Sequence, residues 1–200
     1  MMKLFYSPTS PYVRKVRMVI LEKGLTDLIE IDERSPYDLE DELIAANPLC
    51  KVPALVLEDG STLFDSPVVC EYLDSLKPTS KLMPEGAARW SVMRMVALAD
   101  GMTDAAYNAR MESMRPDADQ SATDMAAQRA RIMRGITALD AGELPGTDVL
   151  DLGTIALAAS LGYTDLRHDD LNWRDGHPAL AAWMGEFSKR PSFQATIPEG

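Results

Sequence analysis

The feature that most restricts what this chain can fold into is a change of hydrophobic period near Lys77-Pro78. Before it, short apolar runs alternate with helical segments; beyond it, every long segment repeats with a helical period. Lys3-Leu4-Phe5-Tyr6 reads as a strand closed by Ser7-Pro8. Thr9 and Ser10 then precede Pro11, which suits the first turn of a helix because its missing N–H would find no partner there. That helix carries Val13, Val16 and Ile20 at i, i+3 and i+7 and stops at Gly24. A second strand follows at Leu28-Ile29-Glu30-Ile31, then a short helix around residues 38–46, ended by Asn47-Pro48. Val52 to Leu57 and Thr62 to Phe64 flank an Asp59-Gly60 turn, the signal of a hairpin. Asp65, Ser66 and Pro67 open a third helix through Val69, Tyr72, Leu73 and Leu76. The order β-α-β-α-β-β-α requires a parallel pair from its βαβ part and an antiparallel hairpin added to the same sheet, which makes four mixed strands.

Lys77-Pro78-Thr79-Ser80-Lys81, followed by Pro84, is the natural linker. It separates an α/β domain at 1–78 from an all-α domain at 84–200. Helices are expected over about 86–112 and 121–141, over 151–164, and through Leu180, Trp183, Met184 and Phe187. The 151–164 segment is apolar nearly all round and should be the buried centre of its domain.

Lys+Arg 20 against Asp+Glu 31 leaves a net charge of −11, spread over both halves. Such a field repels phosphate backbones and anionic lipid, so neither nucleic acid nor a membrane is an expected partner. Cys50 and Cys70 do not form a Cys-x-x-Cys pair, and with His168 and His177 they make no metal-ligand cluster. Cys70, beside Val68, Val69 and Tyr72, reads as a small buried hydrophobe. The first residues lack the apolar run of a signal peptide, so the cytoplasm is the expected compartment.

Three markers, in order, resemble the cytosolic glutathione transferase family. The first is Tyr6-Ser7-Pro8-Thr9-Ser10-Pro11-Tyr12-Val13-Arg14, a strand feeding a polar loop and a helix start. It is similar to the Ser-Pro-Phe segment of the plant tau class and the Cys-Pro-Phe of the omega class. The second is Asn47-Pro48-Leu49-Cys50-Lys51-Val52-Pro53-Ala54-Leu55, followed by Phe64-Asp65-Ser66-Pro67. The third is His177-Pro178-Ala179-Leu180 through Trp183 to Arg190-Pro191-Ser192-Phe193, frequent in bacterial members. The resemblance implies a thioredoxin-like glutathione-binding domain, then a helical domain, in a homodimer. No bound cofactor or metal is implied; glutathione is a co-substrate, conjugated to small hydrophobic electrophiles.

The chemistry assigns roles to these residues. Glutathione is an extended tripeptide, which a protein can hold by lending it a strand edge, and the extended step at Val52-Pro53 suits that. From residues alone Pro53 reads as trans; the resemblance implies cis. Lys51 is the natural counter-charge for one ligand carboxylate, although without the motif around it a lysine there would read as a solvated surface residue. Asp65 and Ser66 stand at a helix start, where free N–H groups and the dipole favour a carboxylate, whether or not either residue also caps the helix. The thiol must attack as thiolate, and a hydroxyl at the start of the first helix supplies a donor together with the dipole. Ser10 is the expected catalytic residue, with Thr9 as its nearest rival and Tyr6 or Ser7 behind. The resemblance also implies that an acidic residue, here Asp100, reaches the glutathione amine in the partner subunit. It places the second substrate between the domains, near Pro8, Tyr107 and Met111. Two departures stand out. Cys50 occupies a position where many relatives have glycine, and the buried helix begins with Asp151 and Thr154, the reverse of the usual Ser/Thr-then-Asp capping pair. Competing functions are a glutathione-binding or partner-binding protein with little turnover, and other glutathione-dependent reactions such as isomerisation, dehalogenation or peroxide reduction.

Overall fold

A computed structural model of the chain describes residues 1–77 and 80–198. The centre of the expected linker, Pro78-Thr79, lies outside the described residues. The packing divides the chain into two compact units, Met1–Arg89 with Pro191–Gly200, and Trp90–Arg190.

The first unit is built on a four-stranded sheet of β1 (Met2–Tyr6), β2 (Ile29–Glu33), β3 (Ala54–Val56) and β4 (Thr62–Leu63) in the order β2-β1-β3-β4. β1 and β2 are parallel, while β3 runs antiparallel to both β1 and β4, the mixed sheet that the sequence requires. α1 (Pro11–Glu22) and α3 (Ser66–Ser75) pack on each other, and α2 (Asp41–Ala46) packs against β3. α1 ends where Gly24 adopts φ 58, a left-handed conformation that costs glycine little. Phe5, Val13, Leu43, Ala46, Val52 and Ala54 form one apolar cluster that ties β1, α1, α2 and the approach to β3 together.

α1 is buried on more than the stripe its apolar spacing marks, because Arg14 and Lys15 are buried as well. So is Lys23, just past its end, whose ammonium pairs with Asp74 at 2.8 Å and donates to the carbonyls of Lys77 and Ser80. Asp74 also accepts the N–H groups of Leu82 and Met83, each at 2.9 Å. Burial alone would raise the Asp74 carboxyl; the Lys23 and amide hydrogen bonds outweigh it and hold the group below its ordinary value.

The expected boundary placed all of 84–200 in the helical domain, but the packing puts Pro191–Gly200 with the first unit. The reason is local: α8 (Pro191–Gln194) packs on α1, and the Arg14 guanidinium lies 4.0 Å over the Phe193 ring.

The second unit is helical and holds no strand among its described residues. It contains most of α4 (Ala88–Ser113), then α5 (Ala122–Ala138), α6 (Leu152–Arg167) and α7 (Pro178–Phe187). α6 is buried from Leu152 through Leu161 without a break, as its composition requires. Gly153 lets α6 approach α4 closely: a Cβ there would lie 2.9 Å from that of Met95. The reversed pair at the start of α6 forms a complete capping box. The Asp151 carboxylate accepts the Thr154 N–H at 2.8 Å, and Thr154 Oγ1 accepts the Asp151 N–H at 3.0 Å, so either order of acid and hydroxyl satisfies both donors.

Candidate functional site

Strand direction gathers the predicted residues of the first unit. Phe5 pairs with Ala54, and Leu55 with Leu63. The chain leaving β1, the chain entering β3 and the chain leaving β4 therefore meet at one end of the sheet. Pro8, Thr9 and Ser10 follow β1, Lys51, Val52 and Pro53 precede β3, and Asp65 and Ser66 follow β4. Two cis peptides fall there, Val52-Pro53 and Phe64-Asp65. Pro53 is thus cis, as the resemblance implied and residue statistics did not.

Ser10 is the N-cap of α1, half-buried, with its Oγ accepting the Val13 N–H at 3.3 Å. A hydroxyl holds one proton to give besides the lone pairs it uses as acceptor. Among the described residues no group takes that proton. Thr9 is likewise half-buried with its hydroxyl unengaged among the described residues. Tyr6 is different: its hydroxyl donates to Glu33 at 3.1 Å and Arg17 lies 5.7 Å over its ring. Ser7 gives its carbonyl to the Ser10 N–H at 3.2 Å, closing the turn that delivers Ser10.

The approach to β3 is shaped by Asn47, which opens the second marker but has no role assigned by the sequence beyond ending a helix. Its buried amide donates to the Lys51 carbonyl at 2.9 Å and accepts the Leu49 N–H at 3.0 Å. Cys50 sits inside this bracket at φ 50, with its thiol 3.8 Å from the Pro36 carbonyl. The positive φ explains why glycine is at home here and why a side chain is tolerated only with strain. Beyond it Lys51 is exposed, while Val52 and Pro53 are buried. Across the gap, Asp65 is the N-cap of α3 without a side-chain cap bond, and Ser66 is 1% exposed. Among the described residues the first N–H groups of α3 therefore lack the side-chain acceptor that a capped helix has. Another residue missed by sequence reasoning, Arg34, latches the segment between β2 and α2 through Asp32, Glu40 and Glu42 at 3.0, 2.7 and 2.6 Å. Its partners lie two to eight residues away, but only the folded loop makes them converge.

Asp100, Tyr107 and Met111 lie in the second unit, half-buried along one side of α4. The opposite side supplies the core through Val92, Met95, Ala99, Met102, Ala106 and Ala109. The Trp90, Met93, Ala97 start of that helix is exposed, with Trp90 at 68%. Among the described residues no group of three or more His, Cys, Asp or Glu is placed to hold a metal ion. No helix among them is long and apolar enough to cross a membrane.

Comparison with known proteins agrees with this geometry. Residues 9–76 match the family model "Glutathione S-transferase, N-terminal domain", and residues 105–186 match "Glutathione S-transferase, C-terminal domain". The chain is 36% identical over 201 residues to the uncharacterized GST-like protein YibF of Escherichia coli K12, covering 98% of each. It belongs to the glutathione S-transferase family. Its two units accordingly hold the thioredoxin-like and helical domains of that fold. A crystal structure of a glutathione transferase family member from Pseudomonas fluorescens Pf-5, with bound glutathione, superposes at a TM-score of 0.96 with 39% identity and 100% coverage of both chains. A shorter match joins the chain to a stringent starvation protein A homolog of Coxiella burnetii, 39% identical over 84 residues, which is 42% of this chain and 38% of that one.

Proposed function

We propose that the chain is a glutathione transferase that joins the glutathione thiolate to small hydrophobic electrophiles. The observation that carries this reading is Ser10: its oxygen is spent on the Val13 N–H, while its proton is left to give at the positive end of α1. The thiol loses its proton to solvent, the Ser10 O–H donates to the resulting S⁻, and the sulfur attacks the electrophilic carbon. With an aromatic halide, a C–S bond forms and halide leaves. Lowering a thiol pKa by about two needs about 2.7 kcal/mol of preferential thiolate stabilisation. One charge-assisted hydrogen bond plus a helix dipole is of that order. Thr9 is the rival donor.

The remaining residues bind. Lys51 offers an ammonium to one glutathione carboxylate, and the Val52 main chain, followed by Pro53, pairs with the tripeptide backbone. The open start of α3 at Asp65 and Ser66 receives the γ-glutamyl carboxylate. Pro8, Tyr107 and Met111 are assigned to the electrophile, and Asp100 to the glutathione amine of the partner subunit in a homodimer. The exposed Trp90, Met93 and Ala97 side of α4 supports that dimer, which would bury on the order of 2,000 Å² or more. Light scattering at micromolar concentration should return the dimer mass. Neither Cys50 nor Cys70 is in a disulfide, in keeping with the cytoplasm, where the glutathione pool keeps thiols reduced. Glutathione in the Pseudomonas fluorescens relative supports the ligand.

The match to a stringent starvation protein A homolog favours one alternative, a glutathione-binding or partner-binding protein with little turnover. Retention on immobilised glutathione followed by a panel of electrophiles separates the two. Retention with turnover is expected; retention without it would select the binding protein.

A further inference from the structure

The third sequence marker, ending in Arg190-Pro191-Ser192-Phe193, has no part in the site just described, yet its end lies against the helix that carries Ser10. Arg14 closes the first turn of α1, its N–H donating to the Ser10 carbonyl at 3.0 Å. Arg14 is 5% exposed, and its guanidinium lies 4.0 Å over the Phe193 ring. Nη2 donates to the Phe193 carbonyl at 3.3 Å and Nε to Thr196 Oγ1 at 3.5 Å. Thr196 Oγ1 in turn donates to the Ser192 carbonyl at 2.8 Å, which fixes the turn that presents it. At the other end of α1, Ser192 Oγ donates to the Glu22 carboxylate at 2.5 Å. One short segment, more than 160 residues away in sequence, thus grips the helix at two points about 12 Å apart along its axis.

The two holds on the first turn act on different sides. Val13 packs into the cluster that includes Phe5 and Val52; Arg14, about 100° further round the helix, is held by the C-terminal segment. A donor stabilises a thiolate only where it is kept within a few tenths of an ångström of its place. We infer that the segment Pro191–Thr196 is a positioning element for the thiolate site, acting through Arg14 and Glu22 to fix α1 and with it the Ser10 hydroxyl. This rests on the reading of Ser10 given above. Arg14 is accordingly a positioning residue, and touches neither substrate.

The test is Phe193→Leu in the full chain, with Arg14→Lys as a second variant that keeps the charge and loses the planar stack. The primary readout is the pH titration of bound glutathione thiolate by ultraviolet absorbance, which needs no electrophile. Both variants should raise the midpoint by about 0.5, the order expected when a helix-start contribution is partly lost. kcat should fall about 3- to 10-fold, while KM for glutathione should stay within about twofold because Lys51, Val52 and Ser66 are untouched. Phe193→Tyr, which keeps the ring, should restore the parent midpoint. Leu180→Ala, in the core of the second unit, should lower the melting temperature without moving the midpoint. A parent-like midpoint in both Phe193→Leu and Arg14→Lys, or an equal shift in Leu180→Ala, overturns the inference and leaves the segment a purely stabilising one. A parent protein that shows no bound thiolate overturns the functional reading beneath it as well.

Discussion

The helix starts of the two units are built differently. In the second unit the starts of α5, α6 and α7 are closed by side chains. Ser121 accepts the Asp124 N–H at 3.1 Å while its own N–H goes to Glu112 at 2.6 Å. Asp151 and Thr154 satisfy each other's N–H groups, and Asp140 accepts the Leu180 N–H at 2.8 Å in the first turn of α7. In the first unit, α3 begins at Asp65 with no side-chain cap; α1 begins at Ser10, whose hydroxyl accepts one N–H as that of Ser121 does and, among the described residues, likewise keeps its proton. A closed start contributes about 0.5–2 kcal/mol to stability and leaves fewer free N–H groups for a ligand. An open start gives up part of that and keeps donors aligned with the dipole, which is what an anion needs.

The largest effect is expected at Ser10. Ser10→Ala should lower kcat/KM for an aromatic halide roughly 10- to 1,000-fold, the range for losing one anion-stabilising donor. Steady-state kinetics within twofold of the parent would make Ser10 a cap and nothing more. Lys51→Ala should weaken glutathione by about 1.5–3 kcal/mol, roughly 10- to 150-fold; calorimetry showing parent affinity would remove Lys51 from the site. On the closed side, Asp151→Ala should cost about 0.5–2 kcal/mol of stability by chemical denaturation, with glutathione affinity and pH profile unchanged.

The smallest effect is a pH dependence at the far end of α3, where Asp74 is engaged as fully as a closed start. Its folded pKa is depressed, so its contribution is complete above the unfolded value, about 3.9, and is lost as pH falls through the folded value. Asp74→Asn should therefore be less stable than the parent at pH 7, and the gap should narrow below about pH 4. A gap that stays constant down to pH 3 would show that the carboxylate charge contributes nothing there.

Much of this was legible in the sequence because it depends on local pattern. Pro11 after Ser10, the Asp59-Gly60 turn and the continuous apolar face of residues 152–161 each specify their structure within a few residues. What escaped depends on distant partners. Nothing in the sequence near Arg14 marks it as buried; the segment near Phe193, about 180 residues on, makes it so. Lys23 likewise waits for Asp74, 51 residues away. The cis bond at Pro53 followed from a resemblance, since no property of Val52-Pro53 by itself selects it. Cys50 stands between the two cases. Its departure from glycine was visible, but the φ of 50 that gives the departure meaning was not.

The central claim is that the Ser10 hydroxyl at the start of α1 holds a thiolate, and the pH–rate profile tests it most directly. In the parent the rate should rise with an apparent pKa below the roughly 8.5 of a free thiol. In Ser10→Ala that midpoint should move back toward the free value, while Thr9→Ala should leave it in place. A shift in Thr9→Ala with none in Ser10→Ala would transfer the role to Thr9, and no shift in either would assign the thiolate to the backbone amides of α1 and contradict the account of Ser10.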